Sequence, residues 1–294
     1  MDKHSQINSD EEYKNPQTNT NLDESPRSLL FSSVGVHSKH SMWLDTKDQP
    51  QNFDVVLYYY DHDEKYLDEL LNIQSETCQV VKHEGLKWPN FYHYYQSNKG
   101  IVDRYQYIWV PDDDIQMDGS QINKMFDTLK EHPEIQVCGP STTLDSCCSL
   151  GYTPRFDKQI RGLLLQYVTF VENGLLLFKT QMLHNPYFLN LIHSAYTGYW
   201  LDAPMRYCFD ESQRPTAMAL LHNVAARHLN RVTSGYTSDL DKVIPRCLHS
   251  RDIDRFLSNG VPREHLVVSR TVLASVSSEE DQYTTPINIA DSDK

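Results

Sequence analysis

Between residues 29 and 140 the chain alternates short apolar runs with amphipathic stretches, and that alternation restricts it to few folds. Leu29–Val36 (LLFSSVGV), Phe53–Asp61 (FDVVLYYYD), Cys78–His83 (CQVVKH), Tyr105–Val110 (YQYIWV) and Ile135–Pro140 (IQVCGP) have the length and residue content of buried strands. Lys65–Ile73 (KYLDELLNI) and Ser120–Glu131 read as helices between them. Pro89–Gly100 is a third, with Phe91, Tyr92 and Tyr95 at helical spacing and Pro89 in the first turn, where a missing N–H is tolerated. Strands alternating with helices predict an α/β domain whose mostly parallel central sheet is flanked by helices. In such sheets ligands sit beyond the carboxyl ends of the strands. Three stretches fall there: Ser33–Val36, Asp61 and Asp112–Asp114.

The 294 residues suffice for a large core, and no repeat or Gly/Ser linker divides 29–275, so one domain is expected there. Residues 1–28 and 276–294 are dominated by polar and acidic residues and read as disordered tails. They carry net charges of −3 and −4, more than half of the total of −13. The body is acidic and has no Lys/Arg cluster. Nucleic acid is therefore not an expected partner, because its binding rests mainly on cation–phosphate attraction. No segment approaches the ~18 apolar residues of a membrane span, and the first twenty residues lack an apolar stretch, so a cytoplasmic setting is expected. The six cysteines form no CxxC pair and read as reduced thiols.

The strand ending YIWVPDDD carries the chemistry. Three adjacent carboxylates after an apolar run need a counter-charge. In extended chain residues i and i+2 point the same way, so Asp112 and Asp114 can converge on one cation while Asp113 points elsewhere. Hard oxygen ligands suit Mg²⁺ or Mn²⁺ and phosphate. A solvated acidic turn is the plain alternative. The chain has neither GxxxxGK[ST] nor GxGxxG, so a metal would have to do the phosphate binding.

This pattern resembles the nucleotide-sugar glycosyltransferases of the GT-A fold. More narrowly it is similar to an uncharacterised glycosyltransferase-like family, well represented in plants, whose corresponding strand ends in YIFLWDEDL. FDVVLYYYD (53–61) resembles that family's strand ending in HYD, and LKWPNFYHYY (86–95) its TKWWFAKRF segment. GYWLDAPMRYC (198–208) is similar to its WGLDxxxGYC, and ALLHNVAARHL (219–229) to its VVDSEYIVHL. The resemblance implies a single GT-A-like domain, a UDP-sugar donor and a glycan acceptor. It places metal ligation on Asp114 and His228, with His222 as the rival histidine. Asp112 would ligate the metal or hold the ribose or a metal-bound water, with Asp113 beside it at the donor. Ser33, Val34, Gly35, Val36 and Asp61 are expected around the nucleoside. Lys87 and Trp88 are expected near it, or else as a solvated lysine and a core tryptophan.

An inverting transferase needs one carboxylate to take the acceptor's proton. Asp202 is the first candidate and Glu172 the second, although Asp202 equally suits a helix cap. The family's basic run is missing from 141–166, which has only Arg155, Lys158 and Arg161 and reads as an acceptor-side loop. The expected activity is metal-dependent transfer of xylose, glucose or galactose from UDP. A sugar-phosphate nucleotidyltransferase, a non-catalytic sugar-binding protein and a hydrolase are the alternatives.

Overall fold

The computed structural model describes residues 27–146, 162–198, 201–229, 254–266 and 271–277. Most of both expected tails and the centre of the 141–166 segment lie outside the described residues. Arg27 and Ser28, assigned above to the tail, belong to the body. The Arg27 guanidinium bonds Asp54 at 2.7 Å, and Ser28 opens the first strand.

Among the described residues ten strands form the sheet system: β1 (Ser28–Val34), β2 (Phe53–Tyr59), β3 (Cys78–Lys82), β4 (Tyr107–Trp109), β5 (Ile115–Gln116), β6 (Val137–Thr142), β7 (Leu163–Val168), β8 (Leu177–Lys179), β9 (Met218–His228) and β10 (Val272–Ser277). The main row runs β10-β7-β9-β6-β8-β4-β1-β2-β3, and β5 pairs with β9 off that row. β3, β2, β1 and β4 are mutually parallel, and β6 is parallel to β9. Only β7 and β8 run against the rest of the row. The expected mostly parallel α/β domain is the architecture found.

Successive residues of β1 and β2 serve opposite faces, both buried, so the strands read as largely apolar runs rather than as an apolar/polar alternation. Leu29, Phe31, Val56 and Tyr58 enter the core under α3 (Lys87–Ser97) and α6 (Pro186–Ser194). Leu30, Val55, Leu57 and Tyr59 enter the one under α2 (Glu64–Leu71) and α5 (Gly119–Glu131). α5 starts where the Asp118 carboxylate accepts from the Gln121 amide at 2.9 Å, and it buries Ile122, Met125, Phe126 and Leu129 along one stripe. Asp63 caps α2 in the same manner.

β9 does two jobs. Its first part pairs with β6 as far as Leu221, and a bulge of three residues, His222–Val224, then intervenes before Ala225 faces Ser141. Beyond the bulge its end pairs with β5, with Ile115 opposite His228. That pairing brings a residue from far down the chain to the end of β4.

Candidate functional site

β1, β2 and β4 are adjacent and parallel, so the chain leaving each one emerges at the same edge. The middle aspartate ties these exits together. Asp113 accepts hydrogen bonds from the Gly35 amide at 3.2 Å and the Tyr60 hydroxyl at 2.9 Å, and its carbonyl accepts from the Lys39 amide at 2.7 Å. Burial, helped by its two acidic neighbours, pushes the Asp113 carboxyl up to about 6. Gly35 leaves no room for a side chain, since a Cβ there would lie 2.6 Å from the Tyr60 oxygen. Asp61 accepts from the Val36 amide at 3.4 Å. Ser33 is buried and accepts from the Asn90 amide group at 3.0 Å. Val34 turns its side chain into the core and gives its carbonyl to the Tyr60 amide.

Asp112 and Asp114 turn the other way and meet His228. Its Nε2 lies 3.3 Å from Asp114 Oδ1 and 3.8 Å from Asp112 Oδ2. One ligand atom from each of the three falls within 4.8 Å of the others. Burial by itself would raise the Asp112 carboxyl, but the charges of Lys87 and His228 outweigh it and hold the group below the usual carboxylate value. At His228 burial pulls downward, and the hydrogen bond to Asp114 with the charges of Asp112 and Asp114 raises the imidazole nonetheless. The position therefore favours positive charge. Two carboxylates and an imidazole are a donor set that Mn²⁺ or Mg²⁺ accepts. Among the described residues His228 Nδ1 is buried without a hydrogen-bond partner, so only the other ring nitrogen is accounted for, by Asp114. Gly174 closes the space behind it, because a Cβ there would sit 2.7 Å from Asp112 Oδ2 and 3.4 Å from His228 Cε1.

The segment Glu172–Leu175 joins this triad to the rest of the site. Asp112 donates its amide to the Gly174 carbonyl at 3.0 Å. Lys87, expected as solvated or donor-bound, is only 10% exposed; its ammonium bonds Asp112 Oδ1 at 2.5 Å and the Asn173 carbonyl at 3.2 Å. Trp88 is fully buried and donates its indole N–H to Asn173 Oδ1 at 2.6 Å. On the far side the Asn173 amide donates to Asp202 Oδ2 at 3.3 Å. Asp202 is buried, and burial reinforced by the Glu172 charge raises its carboxyl to about 7. It makes no side-chain cap for the short 3₁₀ helix Pro204–Cys208, whose preceding residue is Ala203. Glu172 is itself buried, and its charge is felt at both Asp202 and His228.

The rival histidine is elsewhere. His222 lies in the β9 bulge, buried, with Nδ1 against the Ser141 hydroxyl and Nε2 3.0 Å from Gln166 Oε1. The metal-type cluster among the described residues contains His228 instead. Sequence reasoning passed over Asn173, Gly174, Tyr60 and Asn90. The available signal was the polar ENG of 172–174, set between the apolar runs TFV and LLLF in chain that had to be buried.

Fold and site together define an α/β protein with a carboxylate–imidazole cluster at the carboxyl edge of its parallel strands. The chain belongs to the family described as "Protein of unknown function (DUF707)", whose model matches residues 1–155. A search of curated proteins finds no sequence match. Among solved structures the chain is similar to residues 1–349 of S. aureus TarS in complex with UDP-GlcNAc. That match is 12% identical, covers 82% of this chain and 69% of that one, and has a TM-score of 0.47. The same fragment in complex with UDP matches at 11% identity, with 82% and 68% covered and a TM-score of 0.45.

Proposed function

We propose that this protein is a metal-dependent glycosyltransferase that moves a sugar from a UDP-sugar donor to a hydroxyl of a glycan acceptor. One observation carries the reading: a cation-favouring cluster and a buried carboxylate with a pKa of about 7 lie on two sides of a single segment, 172–174. Asp112, Asp114 and His228 would hold Mn²⁺ or Mg²⁺, which when bound supplies the positive charge that a departing diphosphate requires. Lys87 adds a fixed ammonium at the same edge, and Asp113, through Gly35 and Tyr60, keeps that edge in shape. Ser33–Val36 and Asp61, at the exits of β1 and β2, would lie around the nucleoside, held in place by the bonds of Gly35 to Asp113 and Val36 to Asp61. Asp202 takes the proton of the acceptor hydroxyl as its oxygen bonds to the sugar's anomeric carbon and the bond to the diphosphate breaks. A single base of this kind goes with inversion at that carbon. Glu172 adds negative charge beside Asp202 and so favours proton uptake there.

The test is turnover of UDP-glucose, UDP-galactose and UDP-xylose with Mn²⁺ or EDTA, followed by release of UDP with and without oligosaccharide acceptors. Metal-dependent release from one donor, accelerated by an acceptor, is the expected result. UDP-sugars that bind but never turn over would favour a sugar-binding protein. Turnover only of a sugar 1-phosphate with UTP would favour a nucleotidyltransferase.

A further inference from the structure

We propose that Asn173 is a positioning residue that holds the candidate base Asp202 in fixed relation to the Asp112–Asp114–His228 cluster; this rests on the transferase reading above. Three of its polar atoms are engaged, each by a different part of the site. Its amide donates to Asp202, its carbonyl accepts from Lys87, and its side-chain oxygen accepts from Trp88. Lys87 at the same time grips Asp112, and the neighbouring Gly174 carbonyl accepts from the Asp112 amide. Two chains of hydrogen bonds therefore run from Asp112 to Asp202, one through Lys87 and Asn173 and one through the 173–174 backbone.

The side chain is what makes this backbone a fixed post. The Trp88 indole is fully buried in the core under α3, so its N–H is an immobile donor. Gly198, at φ +89°, lets chain pass close by: a Cβ there would come within 2.5 Å of the indole and 2.7 Å of Asn173 Nδ2. The Trp88–Asn173 contact is thus boxed in, and the peptide groups on either side of Asn173 inherit its position. Removing the side-chain oxygen frees the segment to drift, and small displacements of a base relative to reacting atoms are costly in rate. Neither Asn173 nor Trp88 needs to touch a substrate.

The experiment uses the full chain with Asn173→Ala, Asn173→Asp, Trp88→Phe and the Asn173→Ala/Trp88→Phe double variant. Asn173→Ala should lower kcat about 100-fold while the affinity for UDP with Mn²⁺ stays within about threefold. Trp88→Phe should do the same, and the double variant should be no worse than either single one, since both break one bond. Asn173→Asp keeps the acceptor for the indole and should recover most of kcat. Equal losses of kcat and UDP affinity, additive effects, or no rescue by Asp would each overturn the proposal.

A second readout needs no turnover. The charge facing Asp202 comes from Glu172, and the donors facing it are the amides of Asn173, Ala203 and Asp202 itself. Loss of the Asn173 amide from Oδ2 should raise the Asp202 titration midpoint by about half a pH unit or more, followed by ¹³C NMR of labelled aspartate. If no UDP-sugar turns over but this shift appears, the transferase reading fails and the positioning role stands. An unchanged midpoint in a folded Asn173→Ala chain contradicts the positioning role whatever the activity.

Discussion

At the proposed base Asp202, chemistry and stability pull in opposite directions. Its carboxyl, with an ordinary value of 3.8, is raised to about 7 by burial and the nearby Glu172. Between those values the folded protein keeps a proton that the unfolded chain releases. The stability contributed by neutral Asp202 is therefore complete at low pH and is lost as pH rises through about 7. A base that must be ionised to act has the opposite requirement, so turnover should rise through the same pH. Asp202→Asn keeps an acceptor for the Asn173 amide and removes the titration. Its thermal stability should match the wild type only below about pH 4, exceed it increasingly from there to about pH 7, and lead by up to about 4 kcal/mol at about pH 8, while kcat collapses and UDP binding remains. Retained turnover would return Asp202 to a purely structural role.

At the scale of elements, the site is assembled by strand exits and by one pairing. Gly174 belongs to the turn between β7 and β8 and lies against Asp112 and His228. Gly174→Ala should lower Mn²⁺-dependent UDP affinity at least about tenfold at a stability cost of about 1–3 kcal/mol, because the intruding methyl displaces a ligand more than it disturbs the core. Unchanged affinity would place the cation away from Asp112. The strands of the first half were legible from their Val, Tyr and Ile runs. Asp112 and Asp114 do converge apart from Asp113, but not through a pleat: β4 ends at Trp109, and Asp113 and Asp114 form a turn in which the Ile115 amide donates to the Asp112 carbonyl. His228 could be reached only by resemblance. Its place depends on the β9 bulge and on pairing with two-residue β5, and neither leaves a periodicity to read. Asn173 and Tyr60 were illegible for a related reason: their partners Trp88 and Asp113 are distant in sequence, and an Asn or Tyr alone signals nothing about what it will meet.

For the molecule as a whole, the parallel edge gathers carboxylates, and among the described residues Lys87 and His228 are the cationic side chains paired with Asp112 and Asp114. Among the described residues no helix is long and apolar enough to cross a membrane, and Cys78, Cys138 and Cys208 are free thiols. A cation and a nucleotide that bind only the folded state should raise the melting temperature together. At ligand concentrations about 100 times Kd the gain is about 2.7 kcal/mol. UDP with Mn²⁺ should therefore give a clear thermal shift that EDTA removes. A shift with UDP that survives EDTA would mean that the nucleotide is held without the cluster.

The central claim is that Asp112, Asp114 and His228 hold the cation through which a nucleoside diphosphate binds. Calorimetric titration of UDP into the wild type and into Asp114→Ala, each with Mn²⁺ and with EDTA, tests it most directly. Heat of binding in the wild type with Mn²⁺ alone, absent from Asp114→Ala under both conditions, is the predicted result. Equal UDP affinity in the wild type and a folded Asp114→Ala chain would contradict it.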